Sequence, residues 1–374
     1  MKKFYLALAV IIIIVLVVLF GVDKNQKPQN LGKIKIGIIT MQTGGLAFLG
    51  ENIINSAKLA AQKLGRADDV EFVIEDVGNL EGQGQSAVSA AQKLVNVDKV
   101  QFVIDGMTSN GTLAAAPVIN AAKVTMITPL TGGQNIDESG EYIFRNGPSD
   151  ILGGVIPAKD MTDKFGFKKV ALITDNAEYT LDIVKHFRDT FTGTIVSDQV
   201  VQPDGKDYRT DLTKIKTTNP EAIFLNTATG VSARYIIKQA RELGVKVPIF
   251  ANFLAYGPDL LSVAGSSAEG VYIYDPEFDQ TSSDVADFLT EYKKEFGFDS
   301  PITFHTIGTY DDVKMGLEAI DAVGYDGQKI HDYLLKNIQN WKGYNGTVSF
   351  DAQGNSGTGF ILKQIKDGKL VVVK

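Results

Sequence analysis

Short apolar segments alternate with helix-like segments along most of the chain, and this alternation restricts the possible folds more than any other feature. The apolar segment Ile34–Thr40 is followed by a helical pattern over Glu51–Leu64, and similar strand patterns recur at Val70–Glu75 and Val100–Ile104. Few polar positions interrupt these segments, which is typical of strands that are covered on both faces. Strands of this kind, separated by helices, predict an α/β fold with parallel sheets.

The alternation restarts after residues 147–149 (Gly-Pro-Ser), a segment typical of a turn between two units. Additional helices are predicted beyond the second unit, and the chain ends in short strands. Turns at Gly354-Asn355 and Asp367-Gly368 separate these last strands and predict hairpins. The sequence therefore predicts two doubly wound α/β units, followed by further helices and strands.

The N-terminal segment differs from the rest of the chain. Lys2 and Lys3 precede an uncharged apolar run over residues 4–22. At about 1.5 Å per residue, a helix of this length just spans the roughly 30 Å hydrocarbon layer of a membrane. The run ends without a convincing small-residue cleavage site, which favours an uncleaved membrane anchor over a removed signal. Either alternative places the body outside the cytoplasm, joined to the run by a polar tether over residues 23–32.

Composition argues against several classes of function. The chain of 374 residues has 44 acidic and 37 basic side chains, a net charge of −7, so nucleic acid is not an expected partner. It has no Cys and only three dispersed His, which excludes disulfides and the usual zinc motifs. Neither a nucleophile elbow nor a phosphate-binding loop is present. We therefore expect a protein without a metal or cofactor and without enzymatic activity.

The loops after the predicted strands are the candidate ligand-binding segments, because ligands bind beyond the carboxyl ends of parallel strands. Several of these loops are rich in Gly, Ser and Thr and lead directly into a helix. Backbone amides at a helix start, together with hydroxyl groups, suit an anion such as a carboxylate, although the same residues also serve as simple helix caps. The loops lie at residues 40–45, 105–112 and 129–133 in the first unit and at residues 175–179, 227–230 and 252–256 in the second.

The order and spacing of several stretches resemble the branched-chain amino-acid (Leu/Ile/Val) binding family of type I periplasmic binding proteins. The stretches are IKIGIITMQTGGLAFLGENIINSAKLA, VQFVIDGMTSNGTLAAAPV, VTMITPL, SVAGSSAEGVYI and NGTVSFDAQGNSGTGFILKQIKDGKLV. The resemblance implies an α/β fold of two doubly wound parallel-sheet lobes, joined by a three-strand hinge, that close on a solute. Lobe one would comprise residues 33–148 and 276–352, and lobe two residues 149–275 and 353–374.

The resemblance also implies partners and a set of ligand-binding residues. The partners would be a small carboxylate-bearing solute, such as an amino acid, and the permease subunits of an ABC importer. The hydroxyl that binds the ligand carboxylate falls on Ser109, with Thr131 as the second hydroxyl. Tyr179 is the aromatic residue contributed by lobe two. The complete set is Phe48, Met107, Thr108, Ser109, Leu130, Thr131, Tyr179, Thr229, Phe253 and His305.

One departure from the family pattern concerns the choice of ligand. Phe253 stands where amino-acid binders of the family carry the acid that pairs with the ligand ammonium. A buried ammonium without a carboxylate partner is costly, by about 3 to 5 kcal/mol. Either another acid such as Asp175 takes this role, or the ligand has no α-ammonium. The function predicted is an extracytoplasmic solute-binding protein for import, the alternative being a ligand-sensing ectodomain of the same fold.

Overall fold

The computed structural model describes residues 32–78, 82–256, 260–278, 282–357 and 359–373, with the side chain of Gln134 left out. The predicted membrane run at residues 4–22 and nearly all of the tether lie outside these residues. Within the described ranges, none of the helices combines the length and the apolar character needed to cross a membrane. Residues 35–374 form one compact unit, and the following description concerns that unit.

The first sheet has five strands in the order β2-β1-β3-β4-β5. The pairs β1/β3, β3/β4 and β4/β5 are parallel, so these strands end at the same edge of the sheet. The strands are β1 (Ile34–Thr40), β2 (Val70–Asp76), β3 (Phe102–Gly106), β4 (Thr125–Thr128) and β5 (Ile143–Arg145). The intervening helices are α1 (Ala47–Lys63), α2 (Gln83–Lys93) and α3 (Ser109–Ala122).

The second sheet has seven strands in the order β14-β13-β10-β9-β8-β6-β7. The first five along the chain pair with one another in parallel, and the last two join the sheet through the antiparallel pairs β10/β13 and β13/β14. The parallel strands are β6 (Lys169–Asp175), β7 (Thr194–Val201), β8 (Ala222–Asn226), β9 (Ile249–Asn252) and β10 (Tyr272–Pro276); β13 (Phe360–Lys366) and β14 (Lys369–Val372) complete the sheet. The helices of this part are α4 (Asp150–Lys159), α5 (Glu178–Thr190), α6 (Arg209–Thr217), α7 (Gly230–Glu242) and α8 (Leu260–Ala264).

Three later helices pack on the first sheet and its helices rather than on the second sheet. They are α9 (Ser283–Phe296), α10 (Thr303–Val323) and α11 (Gly327–Asn337). Helix α10 contacts α1 and β3, and α11 contacts β4. Gly316 permits the close approach of α10, because a Cβ there would lie 2.3 Å from Cε1 of Phe102 on β3. We call the first sheet with α1–α3 and α9–α11 lobe one, and the second sheet with α4–α8 lobe two.

The chain passes between the two lobes three times. It crosses after β5, returns after β10 and crosses again before β13. The first and third crossings lie side by side, because the amide of Arg145 donates to Gly354 and the amide of Ser356 donates to Arg145. The buried Arg145 guanidinium also donates to the Asp137 carboxylate, at 2.8 and 3.0 Å, and to the carbonyl of Gly147. This arginine therefore ties two of the crossings to lobe one.

The predicted α/β fold with parallel sheets is confirmed, and the structure corrects its final part. The turn at Asp367-Gly368 does form a hairpin, with φ of 51° and 73° at the two residues. The prediction of a hairpin at Gly354-Asn355 is wrong, because the strands on either side pair with different partners. The preceding strand β12 (Gly346–Val348) pairs with β11 (Trp341–Gly343), whereas β13 joins the second sheet. The turn instead carries the chain from one lobe to the other.

Candidate functional site

A cavity of about 440 Å³ lies between α3 of lobe one and α5 of lobe two. Both lobes present the ends of parallel strands here, since α3 follows β3 and α5 follows β6. Such edges, and clefts between lobes, are the usual ligand sites of α/β proteins. We call this space the interlobe cavity; its lining is Ser109, Leu113, Gly133 and Asn135 from lobe one, and Asn176, Ala177, Glu178, Tyr179, Leu181, Asp182 and Lys185 from lobe two.

Ser109 is the first residue of α3 and lines the cavity from lobe one. The buried carboxylate of Asp105, at the end of β3, fixes the preceding loop: it accepts from the Met107 amide at 2.8 Å and from the Thr112 hydroxyl at 2.6 Å. Burial raises the pKa of Asp105 to about 7 against the lowering effect of these bonds. The first-turn amides of a helix have no partner within the helix. The Ser109 hydroxyl and these amides therefore form a donor set suited to a carboxylate.

Asp150 supplies a buried carboxylate beside Ser109. It is the first residue of α4, directly after the first crossing, and is 2% exposed. Within the part of the chain that the structure describes, its Oδ2 atom has no hydrogen-bond partner. A Cβ built on the cavity-lining Gly133 would lie 3.3 Å from Oγ of Ser109 and 3.8 Å from Oδ2 of Asp150. The hydroxyl and the carboxylate thus lie against the same glycine in the wall of the interlobe cavity.

The surroundings of Asp150 favour the neutral, protonated form of its carboxyl group over the charged form. Burial raises its pKa well above the usual value of a carboxyl group, and repulsion from Asp182 raises it further. Arg145 acts in the opposite direction, but its guanidinium is engaged by Asp137. A buried carboxylate in this situation is stabilised by an added cationic or hydrogen-bond-donating group.

Thr131 and Leu130 follow β4 in the loop next to Asp150. The buried Thr131 hydroxyl donates to Oγ1 of Thr128 at 3.1 Å, which leaves its own lone pairs as acceptors. Leu130 is partly buried against the core of lobe one. A Cβ on Gly132 would lie 2.4 Å from both Oδ1 of Asp150 and the carbonyl oxygen of Pro148. The loop is therefore packed tightly against the first crossing and positions Asp150.

Three aromatic side chains meet where lobe two contacts α10. The Tyr179 and Phe253 rings are 6.5 Å apart and nearly perpendicular, and Phe253 packs edge-on against His305 at 5.8 Å. The Tyr179 hydroxyl lies 3.5 Å from Nδ2 of Asn252. His305 is 1% exposed, and neither of its ring nitrogens has a hydrogen-bond partner among the described residues. Burial lowers its pKa to about 3. The imidazole is therefore neutral and forms part of an apolar wall that joins the lobes.

Of the ten residues named from the sequence, Ser109 and Tyr179 are the two in the lining of the interlobe cavity, and four of the other eight have contacts elsewhere. Met107 is buried in the core of lobe one. Thr108 caps α3 and its hydroxyl donates to Gln83, while the Thr229 hydroxyl donates to Asp204 at 2.6 Å. Phe48, in the first turn of α1, is 41% exposed. The structure places Ser109 and Tyr179 together in the lining of the interlobe cavity. Thr131, Phe253 and His305 are buried nearby.

Asp175, the acid suggested from the sequence as a substitute for Phe253, has a local role. It lies buried at the end of β6, where its Oδ2 atom accepts from the Ala228 amide at 2.9 Å. Burial raises its pKa to about 6, opposed by hydrogen bonds from Ser232, Ala228 and Thr229. The carboxylate thus holds the start of α7. Asp150 was missed because sequence reasoning considered strand ends, whereas Asp150 stands at a crossing between lobes.

Comparison with known proteins agrees with this architecture. The sequence profile of the periplasmic binding protein family matches residues 33–369. The Leu/Ile/Val-binding protein homolog 3 of Brucella melitensis is 22% identical over 358 residues, covering 90% of this chain and 93% of that protein. The substrate-binding protein LivJ of Streptococcus pneumoniae, solved with isoleucine, is 28% identical with a TM-score of 0.81, covering 91% of this chain and 99% of LivJ.

A second similar structure was solved with a ligand of another kind. The solute-binding protein of an ABC transporter from Rhodopseudomonas palustris BisB5, solved with 3,4-dihydroxybenzoic acid, is 27% identical with a TM-score of 0.78, covering 91% of this chain and 96% of that one. Among the described residues, no cluster of His, Asp or Glu is arranged to hold a metal ion. Two lobes, three crossings and a cavity at the strand ends thus accompany a profile match over nearly the whole body, and the chain belongs to the periplasmic binding protein family.

Proposed function

We propose that this protein is the extracytoplasmic solute receptor of an ABC importer and that it holds an amino acid in the interlobe cavity. The α-carboxylate binds the Ser109 hydroxyl and the first-turn amides of α3. The α-ammonium binds Asp150, with the acceptor oxygen of Thr131 nearby. The observation that carries this assignment is the buried Asp150 carboxylate, whose Oδ2 atom lacks a partner beside Ser109.

The pairing of a hydroxyl with a carboxylate favours an amino acid over a simple carboxylic acid. An anionic ligand without an ammonium would approach the buried Asp150 charge with nothing to compensate it. An amino acid carries a carboxylate and an ammonium on the same carbon. These two groups match the Ser109 hydroxyl and the Asp150 carboxylate, which both lie next to Gly133. Tyr179, which packs against Phe253, then faces the remainder of the solute.

Titration calorimetry with a panel of amino acids, their amides and benzoates tests the proposal. We expect binding of amino acids that have both a free carboxylate and a free ammonium. An amide or a benzoate that binds as tightly as the matching amino acid contradicts the assignment of the two charged groups. Folded protein that binds no amino acid contradicts the proposed function itself.

Ser109→Ala tests the carboxylate half of the site. Loss of one hydrogen bond to a charged group costs about 1.5 to 3 kcal/mol, so we expect affinity to fall roughly tenfold to a hundredfold. The melting temperature should change little, because the substitution leaves the α3 backbone in place. Ser89→Ala is the matched control, since that hydroxyl donates to the carbonyl of Gln85 within α2, away from the interlobe cavity. Equal affinities for wild type and Ser109→Ala would remove Ser109 from the site.

The apolar run at residues 4–22 supports the further proposal that the receptor stays tethered to the membrane. Fractionation of expressing cells, with intact-mass analysis of the recovered protein, measures this directly. A chain that retains residues 4–22 and is recovered with membranes is expected. Recovery of a shortened chain in the soluble fraction would contradict the tether.

A further inference from the structure

The part of the interlobe cavity that is lined by α5, here called its outer half, carries two acidic side chains. Glu178 and Asp182 are four residues apart on α5, so they lie on the same face of the helix, and both line the cavity. Lys185, the one cation among the lining residues, lies close to Asp189 at 3.2 Å and is largely exposed. The groups that face a bound solute in this half therefore carry more negative than positive charge.

The acids also act on one another. Burial raises the pKa of Glu178, and the charge of Asp182 raises it further. For Asp150, burial is again the main cause of the raised pKa, with added repulsion from Asp182, Asp137 and Glu178. Arg145 offsets Asp137, and His186 lies 3.5 Å from Asp182. The outer acids and the buried Asp150 thus belong to one electrostatic group that extends along the cavity.

From this arrangement we propose that the solute is a cationic amino acid, whose distal ammonium or guanidinium group binds between Glu178 and Asp182. This inference rests on the proposed function, which places the α-carboxylate at Ser109 and the α-ammonium at Asp150. A separate observation beside the α5 acids is the buried Asp150 carboxylate, whose Oδ2 atom has no hydrogen-bond partner among the described residues and lies 3.8 Å from a Cβ built on the cavity-lining Gly133. A volume of about 440 Å³ leaves room for a side chain longer than that of leucine or isoleucine. None of the lining residues is an arginine, so an acidic side chain would meet no bidentate partner here.

Pairs of amino acids that match in shape and differ in distal charge test the inference. Calorimetry of the purified protein compares L-lysine with L-norleucine and L-arginine with L-citrulline. We expect the cationic member of at least one pair to bind about tenfold tighter or more, since charge-assisted bonds in a partly enclosed site have this magnitude. A neutral member that binds as tightly as its cationic partner in both pairs overturns the inference but leaves the proposed function intact.

Glu178→Gln and Asp182→Asn locate the effect. Each is expected to reduce the preference for the cationic member by about threefold or more, measured as the ratio of the two affinities within the same variant. Asp211→Asn is the matched control, because Asp211 is also a first-turn acid but lies on α6 and pairs with Lys214. If both cavity variants keep the full preference, the distal group binds elsewhere and the inference is wrong. If no member of either pair binds wild type, the proposed function fails as well.

Discussion

Asp150→Asn is expected to weaken binding of an amino acid by a factor of about one hundred or more. Removing one partner of a buried ion pair leaves the other charge uncompensated, at a cost of about 3 to 5 kcal/mol. The amide keeps the shape of the side chain and one acceptor oxygen, so the loss reports the charge. Calorimetry with the tightest ligand of the amino-acid panel measures the change.

The same substitution is expected to leave the unliganded fold as stable as wild type or more stable. Burial and the repulsion from Asp182 both oppose the charge of Asp150 in the absence of a ligand, and an amide removes that opposition. Asp175→Ala gives the contrast, because it removes the acceptor of the Ala228 amide and should lower the melting temperature. If Asp150→Asn binds as well as wild type, the ammonium site lies elsewhere.

A pH dependence follows from the raised pKa of Asp150. A ligand ammonium favours the charged carboxylate, so the complex holds fewer protons at this site than the unliganded protein. Affinity is therefore expected to fall as the pH is lowered through the acidic range, and Asp150→Asn should reduce this slope. Other charged or titratable groups near Asp150 are Arg145, Asp137, Glu178, Asp182 and Tyr179. A slope unchanged in Asp150→Asn would assign the dependence to one of these groups.

Gly50→Ala is expected to be the most destabilising of the substitutions considered. A Cβ at this position would lie 1.8 Å from the carbonyl oxygen of Met41 and 2.5 Å from its carbonyl carbon. Since both atoms belong to the backbone, this steric clash can be relieved only if α1 moves away from the end of β1. Overpacking of this kind costs about 3 kcal/mol or more, and urea unfolding followed by circular dichroism should show it as a lower midpoint.

Gly84→Ala is the matched control for this substitution. Gly84 also lies in the first turns of a helix, and a Cβ there would meet only the Cβ of Ala114 at an ordinary 3.6 Å. Because alanine is the better helix former, by about 1 kcal/mol, we expect Gly84→Ala to be neutral or stabilising. A Gly50→Ala protein as stable as wild type would mean that α1 does not pack against Met41 as described.

The sequence predicted the fold well because buried parallel strands have a strong local pattern. The mainly apolar segment Ile34–Thr40, for example, became a strand at that position. The three-residue strand β5 was missed, because Ile143–Arg145 is too short to show a pattern. The false hairpin at Gly354-Asn355 has another cause: a turn signal does not indicate which strands pair, and this choice depends on contacts distant in sequence.

The site was less accessible to sequence reasoning, because it is assembled from both lobes. Ser109 and Tyr179 were named from the family resemblance, and both line the cavity. Asp150 follows a Gly-Pro-Ser segment that resembles an ordinary turn, and its burial depends on the packing of Gly132. The role of Asp175 likewise depends on the partner amide of Ala228, which lies on another strand end. Local patterns do not contain such long-range relations.

The three crossings have a consequence for biosynthesis. Helices α10 and α11, which cover one face of β3 and β4, are translated only after the parallel strands of lobe two, and β13 and β14 come last of all. Neither lobe can complete its core before the C-terminal quarter of the chain has been translated. Closure of such long loops also slows folding relative to chains with local contacts. The nascent polypeptide is therefore expected to reach its complete two-lobed fold only when translation is nearly finished.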